Sequence, residues 1–95
     1  MNCKQLNKLI NTKQDISIID IREPYECESG VISHTNIPLS KVLKRVNELP
    51  QHIPLILYCN SGKRSVALKY ILEKYHGFKN IEHLEGGYQS FVNQN

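Results

Sequence analysis

The apolar run Pro54-Leu55-Ile56-Leu57-Tyr58, followed at once by Cys59-Asn60-Ser61-Gly62-Lys63-Arg64 and a helix-forming stretch from Ser65, constrains this chain more than any other feature. The run is the most hydrophobic strand and belongs at the centre of a sheet. A strand that passes through a short loop into a helix is the repeating step of an α/β domain. In such a domain ligands bind outside the carboxyl ends of the strands. The loop after Tyr58 stands at that edge.

Cys59 is therefore placed for thiolate chemistry. A helix N-terminus offers unpaired N–H groups and a partial positive charge, and Lys63 and Arg64 add formal charge beside the sulfur. Each effect favours the thiolate, which is the nucleophile. A free cysteine that merely closes a buried strand is the plain alternative, since free cysteine is among the most buried residue types. A glycine, two cations and a serine within the next six positions weigh for the nucleophile.

The remaining segments alternate in kind. Leu6, Leu9 and Ile10 recur at helical spacing, with Asn2 as N-cap. Ile16-Ser17-Ile18-Ile19 is a β-branched strand closed by Asp20. Glu23-Pro24 opens a short helix with Pro24 at its first position, and Gly30 ends it. A brief strand is expected near Thr35–Ile37. Ser40 is expected to cap an amphipathic helix carrying Val42, Leu43, Val46 and Leu49, stopped by Pro50. The helix from Ser65 to about His76 turns Val66, Leu68, Ile71 and Leu72 inward and stops at Gly77. Asn80–Leu84 makes a last strand, and Gly86-Gly87 leads into a terminal helix with Tyr88, Phe91 and Val92 on one face. Asp20, Cys59 and Glu85 each follow a strand, so the site is expected on that edge with Cys59 in its middle.

Composition excludes several classes. The 95 residues suit one domain, 1–95, with 40% apolar and 22% charged residues and a net charge of +3. The cations are scattered rather than striped, which argues against nucleic-acid binding. No stretch approaches the roughly 18 apolar residues of a membrane span, and the first dozen residues lack the apolar core of a secretory signal. Cys3, Cys27 and Cys59 are odd in number and far apart, which points away from a disulfide framework and toward a reducing, cytoplasmic setting. His34, His52, His76 and His83 show no ligand spacing, so no metal and no cofactor is expected.

A loop whose N–H groups point inward is an anion nest. Two chemistries use a cysteine there: phosphoryl transfer through a cysteinyl phosphate and sulfane-sulfur transfer through a persulfide. Cysteine-dependent phosphatases place one residue more between nucleophile and arginine than the four that separate Cys59 from Arg64. The smaller ring suits a terminal sulfur, and no aspartate is evident nearby to protonate a leaving alcohol.

Several ordered segments carry a family resemblance. They are Ile18-Ile19-Asp20-Ile21-Arg22-Glu23-Pro24-Tyr25-Glu26, Gly30-Val31-Ile32 and Asn36-Ile37-Pro38-Leu39, then Tyr58-Cys59-Asn60-Ser61-Gly62-Lys63-Arg64-Ser65, Gly77-Phe78 and Leu84-Glu85-Gly86-Gly87-Tyr88. Together they make the chain similar to the single-domain rhodanese-like sulfurtransferases of the thiosulfate sulfurtransferase family. The resemblance implies a rhodanese fold, a small three-layer α/β/α domain with a mainly parallel sheet of four to five strands flanked by helices. It implies a ping-pong enzyme in which Cys59 takes a sulfane sulfur from thiosulfate or a similar small anionic donor. The sulfur then passes to cyanide in the assay, or to a thiol or protein acceptor in the cell. Asn60, Ser61, Gly62, Lys63, Arg64 and Ser65 would bind the donor, and Asp20 and Arg22 would stand behind the loop in a structural role. Three departures stand out. Gly30-Val31-Ile32-Ser33-His34-Thr35 replaces the usual Gly-His-Ile-Pro-Gly-Ala, Phe91 replaces a common tryptophan, and the first edge strand has room only for a stub before Lys4. A non-catalytic interaction module and, less favoured by loop length, a small cysteine phosphatase or arsenate reductase are the alternatives. Cys27 is either a resolving thiol or incidental.

Overall fold

Three parallel strands, β1 (Ser17–Asp20), β2 (Leu55–Tyr58) and β3 (Ile81–His83), pair in the order β1-β2-β3 in the computed structural model, which describes residues 1–94. Ile19 lies opposite Leu57, and Leu57 opposite His83. All four residues of β2 are buried, as its unbroken apolar pattern requires of a central parallel strand.

The pleat of β2 divides the core. Leu55, Leu57 and Cys59 pack with Ile19, Val42, Leu68 and Leu72. Ile56 and Tyr58 pack on the opposite face with Leu6 and Leu84, backed by Tyr88 and Phe91. Helices α2 (Leu39–Val42) and α3 (Lys63–His76) thus supply one layer, and α1 (Cys3–Asn11) and α4 (Gly87–Asn93) the other. Each fully buried leucine contributes about 1.5–3 kcal/mol.

The sheet has three strands rather than the expected four to five. Next to β1 the chain makes only a single bridge, Asp20 to Asn36. The Asp20 N–H donates to Thr35 O and the Ile37 N–H to Asp20 O, both at 2.9 Å. Pairing then stops, because the Arg22 N–H turns back to Asp20 Oδ1 at 2.9 Å and the Leu39 N–H bonds Ile21 O as α2 begins. At the other edge the Met1 amine donates to His83 O at 3.0 Å, and the Glu85 N–H donates to Met1 O at 2.8 Å. This is a one-residue parallel pairing. It ends where Asn2 and Gln5 form a reciprocal cap that starts α1.

Local deviations have local causes. The helix expected from Ser40 starts at Leu39 with Pro38 as its cap, and after Val42 it tightens into a 3-10 segment, Leu43–Glu48, broken at Arg45. Val42 and Leu49 are buried from it, whereas Leu43 faces solvent. The helix expected from Ser65 begins two residues earlier, at Lys63, because Gly62 adopts φ 96° and caps it. Val66 and Val92 are exposed instead of buried, each at a position its helix turns outward. Pro24 opens a 3-10 segment, Pro24–Ser29, that ends at Gly30. Among the described residues no helix is long and apolar enough to cross a membrane.

Candidate active site

Cys59 follows the central strand directly and is buried. The chain turns over its sulfur so that the Gly62 N–H donates to Cys59 Sγ at 3.1 Å. A residue with a Cβ strains at the φ of 96° that Gly62 adopts in this turn, and a Cβ there would stand 3.2 Å from Gly86 N. Ser65, in the first turn of α3, places its hydroxyl 3.7 Å from the sulfur. Burial pushes the Cys59 thiol up. The Ser65 N–H and hydroxyl, with the Gly62 and Arg64 N–H groups, outweigh burial and bring its pKa below the ordinary cysteine value.

The loop is held from behind by the start of α4. The Tyr88 N–H donates to Cys59 O at 2.8 Å and the Gln89 N–H to Asn60 O at 3.0 Å. These are N–H groups that a helix start leaves without intrahelical partners. These bonds fix the Cys59 and Asn60 carbonyls against α4, on the turn whose Gly62 N–H meets the sulfur. The approach requires Gly87, whose φ is 62° and whose added Cβ would lie 2.5 Å from Cys59 O and 2.6 Å from Asn60 C and O.

Asp20 and Arg22 form the buried ion pair behind this arrangement. Arg22 Nη2 donates to Asp20 Oδ2 at 2.7 Å, and both side chains are essentially inaccessible. The guanidinium also donates to Gly30 O at 2.8 Å and Glu26 O at 3.2 Å, and lies 4.4 Å from the centroid of the Tyr88 ring. Burial works against the Asp20 carboxylate, but hydrogen bonds from Arg22 prevail and hold its pKa below the usual range. The pair thereby fixes the 3-10 segment that carries Glu26. From there Glu26 grips Arg64 through two contacts of 2.9 Å, and this bond draws the Glu26 pKa down.

The predicted loop residues thus come together, but not in equal situations. Cys59, Gly62 and Ser65 are buried, Arg64 is engaged by Glu26, and Lys63 and Ser61 are exposed. Among the described residues no carboxylate lies within ion-pair distance of Lys63. Glu85 is not brought to the loop; its carboxylate binds the Met1 amine at 3.0 Å. Cys27 donates to Asp20 Oδ2 at 3.3 Å, and burial together with that carboxylate raises its pKa. Cys3 sits in α1 with the opposite core layer, and all three cysteines are free. The rim segment that departs from the Pro-Gly pattern is tied down by Tyr58, whose hydroxyl accepts from the Ile32 and Ser33 N–H groups at 3.0 and 3.3 Å.

Sequence reading missed three neighbours. Glu26 accepts from the Glu23 N–H at 2.8 Å, and that reciprocal i, i+3 spacing was a usable signal. His83 Nδ1 lies 3.3 Å from Ser65 Oγ, and no spacing announced it. Gly87 was visible as part of a Gly-Gly pair, but its contact with Cys59 depends on how α4 docks.

Comparison with known proteins agrees with this geometry. A Bacillus subtilis protein named YqhL, described as uncharacterized, is 39% identical over 75 residues, covering 78% of this chain and 59% of that protein. A sulfurtransferase of Allochromatium vinosum is 28% identical, covering 92% of this chain and 81% of its own length. A tRNA uridine(34) hydroxylase of Pelagibacter ubique is 33% identical over 94% of this chain, which spans only 30% of that protein. The crystal structure of a rhodanese-related protein from Thermoplasma volcanium superposes with a TM-score of 0.84 at 30% identity, covering 97% of this chain and 88% of the other. The sequence profile of the rhodanese-like domain matches residues 2–94, and with the cysteine loop at the carboxyl end of a parallel sheet, this chain belongs to the rhodanese-like domain family.

Proposed function

We propose that this chain is a sulfurtransferase that carries sulfane sulfur as a persulfide on Cys59, drawing it from thiosulfate or a similar small anionic donor. The observation that carries the reading is the Cys59 sulfur facing the N–H groups of its own loop, with the Gly62 N–H at 3.1 Å. Family membership and the sulfurtransferase name of the Allochromatium vinosum relative support sulfur transfer in general. The likeness to tRNA uridine(34) hydroxylase shows a similar span within a longer protein.

In the first half-reaction the Cys59 thiolate attacks the outer sulfur of thiosulfate. A sulfur–sulfur bond forms to Cys59, the donor's sulfur–sulfur bond breaks, and sulfite leaves with the electron pair. The persulfide's outer sulfur carries the negative charge and takes up the loop N–H groups, donors already aimed before the charge arrives. In the second half-reaction a thiolate, or cyanide in the assay, attacks that outer sulfur, and Cys59 leaves as the thiolate. Lys63 meets the donor's charge at the rim. Asp20 and Arg22 hold the surrounding carbonyls in place and touch no reacting atom.

The test is direct. With thiosulfate and cyanide the protein should release thiocyanate, and with thiosulfate alone its intact mass should rise by one sulfur atom, mapped to Cys59. Cys59→Ser should abolish both, while Cys3→Ser leaves them nearly intact. Turnover that survives Cys59→Ser ends this reading, and a protein that takes up no sulfur at all is a non-catalytic binding module.

A further inference from the structure

Ser65 Oγ stands among three acceptors. It lies 3.2 Å from Gly62 O, 3.7 Å from Cys59 Sγ and 3.3 Å from His83 Nδ1. Ser65 itself is fully buried, so no water competes for its single proton. A hydroxyl has one proton to give and two lone pairs with which to accept. If Nδ1 is bare, the Ser65 proton is drawn toward the ring and away from the sulfur. If Nδ1 carries a proton, the ring donates to Ser65 Oγ and cannot accept from it. The Ser65 proton then chooses between a neutral carbonyl and a thiolate, and hydrogen bonds to an ionised acceptor are about twice as strong as neutral ones.

We propose that His83 is a positioning residue for Cys59: its Nδ1 proton, through Ser65, aims the serine hydroxyl at the sulfur and stabilises the thiolate. The inference deepens the sulfurtransferase reading, because the group it tunes is the same Cys59. His83 comes from β3, the strand beside the one that delivers Cys59, so the sheet register fixes the distance between them. The groups facing the imidazole act in opposite directions. Burial leads in lowering its pKa, and the Met1 amine and Lys69 of α3 add to this, while Glu85 and Glu82 raise it. The ring therefore gains its second proton below the ordinary histidine range. In that acid range the relay is complete, and Cys59 keeps more thiolate than a lone cysteine in the same loop.

The experiment measures the alkylation rate of Cys59 by iodoacetamide against pH, in the Cys3→Ser, Cys27→Ser background so that only one thiol reacts. With His83 in place the profile should show a second inflection on its acid side. With His83→Asn that inflection should vanish, and the rate on its acid side should fall about tenfold, equivalent to about 1.4 kcal/mol. Near pH 8 the two proteins should agree to within about twofold. In a Ser65→Ala background the acid advantage of His83 should disappear, because its route to the sulfur is gone. The unmutated chain gives an independent reading. By reciprocity of coupled sites, alkylating Cys59 removes the thiolate and should lower the His83 pKa followed by imidazole 15N NMR. Superimposable profiles with and without the His83→Asn substitution would overturn the proposal. So would an acid advantage that persists without the Ser65 hydroxyl, since His83 would then act by charge alone. Alkylation needs no sulfur donor, so its outcome is independent of whether thiosulfate is a substrate.

Discussion

Glu26 grips Arg64 through both carboxylate oxygens, Oε2 to Nη1 and Oε1 to Nη2 at 2.9 Å each, across 38 residues of sequence. Lys63 and Arg64, four and five residues after Cys59, look equivalent in sequence, and this contact separates them. Arg64 is a strut between the active loop and the 3-10 segment anchored by Arg22. Lys63 is exposed, with no carboxylate within ion-pair distance among the described residues.

The two should accordingly fail in different ways. Lys63→Ala should raise KM for thiosulfate about tenfold while kcat stays within about twofold, the loss of one charge-assisted contact. Arg64→Ala removes the strut and should lower kcat and Tm together. Steady-state kinetics and thermal melts on the pair decide the matter. Equal effects confined to KM would mean that Arg64 binds the donor itself.

Acid should destabilise the fold through Asp20 and Glu26. Hydrogen bonds from Arg22 and Arg64 hold both carboxyls below their usual pKa in the folded state, so the unfolded chain binds protons first as pH falls. Their stabilisation is fully present above the unfolded carboxylate range of about 4 and is lost as pH drops through the lower folded values. Asp20→Asn should therefore melt lower at neutral pH and show a flatter decline in Tm below pH ~4. Asp20→Ala, which strands a buried guanidinium, should cost about 3–5 kcal/mol. Calorimetric melts from neutral pH downward test both variants.

Gly87→Ala should damage the site more than the fold. The added methyl meets the Cys59 and Asn60 backbone at 2.5–2.6 Å at a φ of 62°, so the loop must move away from α4. The strain costs about 1–3 kcal/mol, and the displaced loop should lose at least about tenfold in kcat/KM for thiosulfate. Wild-type turnover in this variant would show that the carbonyl anchors to Tyr88 and Gln89 are dispensable.

Loop length should select sulfur over phosphate. The native protein should hydrolyse an aryl phosphate far more slowly than it transfers sulfur. A glycine inserted between Gly62 and Lys63 should abolish sulfur transfer by enlarging the bowl beyond the reach of its donors. Efficient aryl phosphate hydrolysis by the native chain, without sulfur uptake, would replace the present proposal with a phosphatase.

The class of fold and the place of the cysteine loop at the end of the central strand were legible in the sequence, because both depend on short-range pattern. The apolar run at Leu55–Tyr58, bounded by Pro54 and the loop after Tyr58, reads as a strand covered on both faces, and the turn after it needs a glycine where Gly62 stands. Asn2, Pro24 and Gly77 marked ends of helical segments for equally local reasons of capping and backbone geometry. Strand number was not local. A bridge of one residue at Asn36 and another pairing at Met1 depend on which backbone groups remain free at the sheet edges, and the turn of the Arg22 N–H to Asp20 and the cap of α1 end them. The division of labour between Lys63 and Arg64, the hold of α4 on the Cys59 carbonyl, and the approach of His83 to Ser65 were decided by the tertiary structure alone. Each joins segments far apart in the chain, and no spacing along one strand or helix records which side chains the packing of layers will bring within 4 Å of one another.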